Sequence, residues 1–214
     1  PPSPATADHC RTGRLAGPEC SLQQGRVTPK ILAEAANADL LVIGPRGVNP
    51  LRDLLLGSTA ERIARKITRP MLVVKQNPDV AYDNVLVAVD PSDDAMKVLE
   101  FAAHVAPRAT LQVFHALDDS LMGRLRSAGV RDDAISAYTA ELLGDARTRL
   151  DEYVAKLHGR SIFVKVEPGD ARVLIPQQAA AMGASLIVMG KQGMSWLAES
   201  IVGSVARRVL EQAT

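Results

Sequence analysis

The chain has 214 residues, 47% of them hydrophobic and 23% charged, with a net charge of +1. That composition excludes a highly charged disordered chain, and the near-neutral balance leaves no electrostatic footprint for nucleic acid. Aromatics are only 3%, so the core must come from Ala, Val, Leu and Ile, which suits parallel strands covered by helices.

Pro1–Ala16 is Pro-rich and polar and reads as a disordered leader, without the apolar centre of a signal peptide. No apolar run approaches the roughly 20 residues of a membrane span, so a cytoplasmic protein with no membrane partner is expected. Cys10 and Cys20 have neither zinc spacing nor a disulfide framework and are expected to be incidental thiols in a reducing compartment.

A short strand is predicted near Glu19–Gln23, then a helix over Val27–Ala36 and a buried strand over Leu40–Ile43 that ends at Gly44. After a Gly-containing loop, Ser58–Lys66 has helix-forming composition, and Met71–Val74 is a further strand. A linker follows at 77–82. Val85–Val89 is a buried strand ending at Asp90, broken by Pro91-Ser92. Ala95–Val105 is a helix with Ala95, Val98, Leu99, Ala102 and Val105 on one face, and Leu111–Ala116 is the next strand. A polar stretch from Asp118 to Asp132 precedes a long helix over Ala134–Leu157, and Ile162–Val166 is a strand closed by Pro168-Gly169. Val173–Met182 is a helix, Leu186–Met189 a strand, and Ser204–Gln212 a final helix. Strands alternating with helices imply an α/β fold, an open parallel sheet with helices on both faces.

A repeat organises this order. Gly44, Gly47, Gly57 and Ser58 recur as Gly190, Gly193, Gly203 and Ser204, a constant 146 positions on. Leu51 and Arg62 match Leu197 and Arg208 in the same frame. Residues 17–76 then read as the back half of a first unit. Residues 83–214 read as a second unit that stops before a counterpart of Met71–Val74.

Each loop opens at the carboxyl end of a strand and closes at a helix start, where open α/β sheets bind ligands. Glycines let the backbone approach an anion, and the helix start adds free N–H groups and a positive dipole end. Ser58 and Ser204 stand where an N-cap would stand, and each can donate a hydroxyl to a phosphate. The competing reading is a Gly-rich turn with a capped helix. Asp90, at a strand tip, can accept from an adenine amino group or a ribose hydroxyl, or cap the helix after Pro91. Ala116 can offer its backbone N–H and C=O to an adenine edge.

These residues resemble the universal stress protein family in its tandem, nucleotide-binding form. The resemblance rests on NVLVAVDPSDDA at Asn84–Ala95, LQVFHAL at Leu111–Leu117 and the two GxxG-x9-GS loops. It implies a five-stranded parallel sheet of order 3-2-1-4-5, ATP or AMP as ligand with Mg²⁺ as a candidate companion, and dimers joined through edge strands. Carried over, Asp90 would contact adenosine, Ala116 the adenine edge, and Gly190, Gly193, Gly203 and Ser204 the ribose and phosphates. Gly44, Gly47, Gly57 and Ser58 would form a second, incomplete site lacking an aspartate strand. Lys191 is either a phosphate counter-charge or a solvated cation. Met71–Val74 is expected to lie beside Leu186–Met189 as an intramolecular pseudo-dimer edge, or to pair with another copy.

Enzyme motifs are missing: there is no GxxxxGK[ST], HExxH or GxSxG. His104 and His115 read as packing or capping residues, and Asp118-Asp119 and Asp132-Asp133 as solvated turn residues. A nucleotide-binding stress-response module is expected first. An interaction module with a vestigial loop and a slow ATPase are the alternatives.

Overall fold

The computed structural model describes residues 20–44, 57–75, 81–191 and 202–213. The elements in chain order are α1 (Val27–Ala35), β1 (Leu41–Ile43), α2 (Ser58–Lys66), β2 (Met71–Val73), β3 (Asn84–Ala88), α3 (Ala95–Val105) and β4 (Thr110–Leu117). They continue with α4 (Ser120–Ser127), α5 (Asp132–Val154), β5 (Ile162–Pro168), α6 (Ala171–Ala181), β6 (Leu186–Met189) and α7 (Ser204–Gln212). Two all-parallel sheets result, β1-β2 and β5-β4-β3-β6. The second reproduces the first four positions of the 3-2-1-4-5 order.

Alternation explains the layers. In β3, Val85 and Val87 face one side with Leu99, Ala102 and Leu150 of α3 and α5, while Leu86 and Ala88 face the other with Ile175, Ala179 and Val209 of α6 and α7. Both faces of β3 are therefore covered, which is why Val85, Leu86 and Val87 are fully buried. Around the small sheet, Ala35, Ile63 and Ile67 form a separate cluster with Leu41 and Met71.

Two glycines turn the chain between layers. Gly183 adopts φ +61° after α6, so Ala184 N–H reaches back to the Ala179 carbonyl at 2.9 Å and the helix stops. Gly169 (φ +141°) joins β5 to α6, and Asp170 then caps α6 by accepting from Arg172 N–H at 2.8 Å.

Several expectations are corrected. Residues 20–24 form no strand. The polar stretch after Asp118 contains α4, begun by Asp118 accepting from Ser120 N–H at 2.9 Å and held to α5 by an Arg126–Asp132 ion pair. Cys20 is disulfide-bonded rather than a free thiol. Finally, β2 is not hydrogen-bonded to β6. It pairs with β1 in register Leu41↔Met71, and Val74 N–H donates to Ile43 at 2.9 Å. The pairing is local because the connection through α2 delivers β2 directly onto the neighbouring parallel edge.

Between β2 and β6 lies a cavity of about 1070 Å³, lined by Met71, Val73, Leu186, Val188 and Ala213 among others. Two lysines tie its sides together. Lys75 Nζ donates to the Ala213 carbonyl at 2.6 Å, and Lys191 Nζ donates to the Arg65 and Ile67 carbonyls at 2.8 and 3.3 Å. Ile67 and Ala213 are 146 positions apart, so the same carbonyl in each repeat is capped by a lysine from the other half. Cations at helix carboxyl ends are favoured by the unpaired carbonyls and the dipole. Burial holds both ammonium groups below the usual lysine range.

Candidate functional site

The order β5-β4-β3-β6 sets the carboxyl ends of β4, β3 and β6 side by side. The chain leaves β3 for β4 on one side and returns to β6 on the other, so the crevice beyond β3 is a topological switch point. Register aligns the tips: Ala88 sits opposite both Phe114 and Met189, with Asp90, Ala116 and Gly190 just beyond. Ala116 and Met189 pack on the α6–α7 side, and alternation carries Asp90 to that side as well.

Helix α7 brings its amino end to this arrangement. Val205 and Val209 anchor it on that face of the sheet, and Gly203 N–H donates to the Lys191 carbonyl at 3.1 Å, which holds the helix start against the tip of β6. The N-cap is Gly203 (φ −55°), and no side chain caps the first turn. In the first repeat Gly57 (φ −58°) plays the same part for α2. Ser58 and Ser204 are thus first helical residues rather than N-caps, which corrects the expectation. The reason is extended backbone at the glycine, which leaves the first-turn N–H groups without a side-chain acceptor. Neither glycine uses a positive φ. Gly44, at the end of β1, has open space where a side chain would start. Gly47 and Gly193 lie outside the described residues.

Asp90 does not cap the helix after Pro91. Asp94 is the N-cap of α3, without a side-chain bond, and Asp90 Oδ1 accepts instead from Ser92 Oγ at 2.5 Å. Asp90 Oδ2 accepts from no described residue, so one lone-pair face of a half-buried carboxylate is open at the strand tip.

The backbone of Ala116 is open too. Even-numbered residues of β4 point their peptide groups at β3: Thr110 N–H donates to the Asp83 carbonyl at 2.8 Å, and the Phe114 carbonyl accepts from Val89 N–H at 3.1 Å. Continued, that ladder would pair Ala116 N–H with the Val89 carbonyl and the Ala116 carbonyl with the N–H of residue 91. Residue 91 is proline and has none. The Val89 carbonyl is taken by the His115 ring, Nδ1 to oxygen at 3.0 Å. Ala116 therefore keeps a donor and an acceptor side by side, facing the crevice next to Asp90.

Lys191 does not face this crevice as a counter-charge, because its ammonium is committed to the carboxyl end of α2. The first repeat is a half site. Gly44 and Gly57-Ser58 are present, but β1 has β2 as its one described strand partner and no aspartate-bearing strand beside it. Sequence reasoning under-read His115, whose ring sits at the site's edge. Burial pulls its pKa below the ordinary histidine value, against the raising influence of the Val89 carbonyl and Asp90. Among the described residues no group of three or more His, Cys, Asp or Glu side chains could hold a metal ion, and no helix is long and apolar enough to cross a membrane.

Comparison with known proteins agrees with this layout. A universal stress protein of Mycolicibacterium smegmatis is 25% identical over 205 residues, covering 92% of this chain and 66% of that protein. One from Bacillus subtilis is 28% identical over 143 residues, covering 62% of this chain and 95% of its own length. The crystal structure of a universal stress protein from Archaeoglobus fulgidus superposes with a TM-score of 0.59 at 25% identity, over 87% of this chain and 62% of that one. The chain thus spans about two-thirds of its longer relatives. The model of the universal stress protein family matches residues 19–75 and 81–214, nearly the whole chain, and the chain belongs to that family.

Proposed function

We propose that this chain binds an adenine nucleotide, ATP or AMP, in the crevice beyond β3 and acts as a nucleotide-dependent stress-response module in the cytoplasm. Asp90 and the free peptide groups of Ala116 take the adenosine part, the peptide matching a heterocycle edge that bears one donor and one acceptor. Gly190, Gly193, Gly203 and Ser204 hold the ribose and phosphates, using the uncapped first turn of α7. Mg²⁺ accompanies the phosphates of ATP rather than occupying a protein cage. The half site of Gly44, Gly47, Gly57 and Ser58 belongs to a first unit that is incomplete within residues 17–76, and the second unit occupies residues 83–214. Binding rather than turnover is the assigned role, with at most slow hydrolysis, because His115 presents its ring on the face of the sheet opposite the α6–α7 side, where the nucleotide would lie.

The observation that carries this reading is the pairing of an open peptide edge at Ala116 with an uncapped helix start on the same face of the sheet. Isothermal titration with ATP and AMP tests it, before and after Gly203→Val. The wild type should give saturable heat that the variant loses while its far-UV spectrum is kept. No heat at millimolar nucleotide with Mg²⁺ would overturn the assignment and favour a protein-interaction role for the same scaffold.

A further inference from the structure

Strand β4 outruns its neighbour, and the ladder arithmetic shows where the two part. Bonds alternate regularly from Thr110 N–H on the Asp83 carbonyl to Val89 N–H on the Phe114 carbonyl. The next bond in sequence would be Ala116 N–H to the Val89 carbonyl. It is not made, and the one described donor on that carbonyl is the His115 ring at 3.0 Å. A carbonyl can only accept, so Nδ1 carries the proton. His115 is adjacent in sequence to Ala116, and its half-buried ring lies on the opposite face of the sheet from the Ala116 side chain.

We infer that His115 is a positioning residue: by drawing the Val89 carbonyl toward its ring it turns that carbonyl off the ladder direction and leaves the Ala116 peptide N–H available to a ligand. This rests on the nucleotide reading for its purpose, though not for its geometry. The arrangement has two parts with different chemistry. Pro91 removes the donor that would take the Ala116 carbonyl, and His115 turns aside the acceptor that would take its N–H. Ala116 is half-buried, so its N–H, left without a sheet partner, can meet water or a ligand at the crevice. The ring also ties the tip of β3 sideways to β4 at Val89, one residue before Asp90, so the carboxylate and the free peptide are held by the same contact.

The test uses the full chain with His115→Leu, which removes the donor, and His115→Asn, whose Nδ2 stands where Nδ1 stood. Amide hydrogen exchange without nucleotide is the first readout. In His115→Leu the Ala116 amide should pair with Val89 and exchange about tenfold more slowly, while the thermal midpoint stays or rises. In His115→Asn it should exchange as in the wild type. Titration with AMP is the second readout: affinity should fall about tenfold in His115→Leu, one hydrogen bond's worth, and recover in His115→Asn. Unchanged Ala116 exchange in His115→Leu overturns the inference. So does a His115→Asn variant that behaves like His115→Leu. If exchange responds as stated but no form of the protein binds AMP, the ladder role stands and the nucleotide reading falls.

Discussion

Removing the Asp90 carboxylate tests the site most directly, because the side chain contributes little to the fold. Its one described hydrogen bond is accepted from Ser92 Oγ two residues away, and Oδ2 has no described protein partner. A local, half-buried contact of that kind is worth about 1 kcal/mol or less to stability. In a complex, the same carboxylate would accept from a ribose hydroxyl or an adenine amino group. Hydrogen bonds to charged groups contribute about 1.5–3 kcal/mol, which is roughly a 10- to 150-fold rise in Kd. Asp90→Asn keeps the shape and a neutral acceptor, so its loss should be smaller, nearer tenfold. Ser92→Ala should leave affinity unchanged or slightly improved, since it frees Oδ1. Titration calorimetry with AMP gives the affinities and a urea transition gives the stability. An Asp90→Ala protein that binds AMP as tightly as the wild type would show that the carboxylate does not touch the ligand. Loss of binding accompanied by a stability loss of several kcal/mol would instead assign Asp90 to the fold.

Leu99 is fully buried among Val85, Val87 and Leu150, so Leu99→Ala should cost about 2–5 kcal/mol in urea unfolding, whereas Leu22→Ala, at an exposed position, should change it by less than about 0.5 kcal/mol. Gly169→Ala should destabilise by about 1–3 kcal/mol. Its φ of +141° disfavours a side chain, and the new Cβ would stand 2.9 Å from Leu174 Cδ1. Adding Leu174→Ala should relieve the clash but not the backbone strain, and full recovery in the double variant would show that the clash alone mattered. His115 gives a pH dependence whose sign follows from its lowered folded pKa. The unfolded chain binds the proton first, so the stabilisation from neutral His115 is complete above its ordinary value of 6.5 and is lost as pH falls from there toward the folded value. Unfolding curves across that window should show His115→Asn with a shallower decline than the wild type, and identical slopes would place the pH dependence elsewhere.

Most of the sheet was legible because its signals are short-range. Apolar runs ending at Gly or Asp marked β1, β3 and β6, and the 146-residue repeat placed α2 and α7 at matching positions, Ser58–Lys66 and Ser204–Gln212. The positions of Asp90, Ala116, Gly190 and Gly203 were legible for the same reason: each stands at the end of an element, and the switch-point rule says where such ends meet. What stayed hidden depends on register between distant segments. Whether Ala116 is paired or free turns on Val89, 27 positions earlier in the chain, and on how its carbonyl is oriented. A histidine inside a strand looks like packing until the ladder is counted. Lys191 was ambiguous for a similar reason, since its acceptors lie more than 120 residues away on α2.

β2 and β6 do not pair within the chain, and the cavity lies between them. The two are edge strands of separate sheets, and β6 is the counterpart of β1 rather than of β2, so matching apolar residues alone does not make them a pair. The lysine caps constrain their directions. Lys75 follows the carboxyl end of β2 and meets the carboxyl end of α7, which runs back toward the start of β6. Lys191 follows the carboxyl end of β6 and meets the carboxyl end of α2, which leads into the start of β2. The two edge strands therefore face each other in opposite directions across the 1070 Å³ space, tied at diagonal corners. The backbone edge of β6 opens onto that space, a liability that proteins normally cover. Because Lys191 also lends its carbonyl to Gly203, the corner that ties residues 57–75 in place is the same one that seats the amino end of α7.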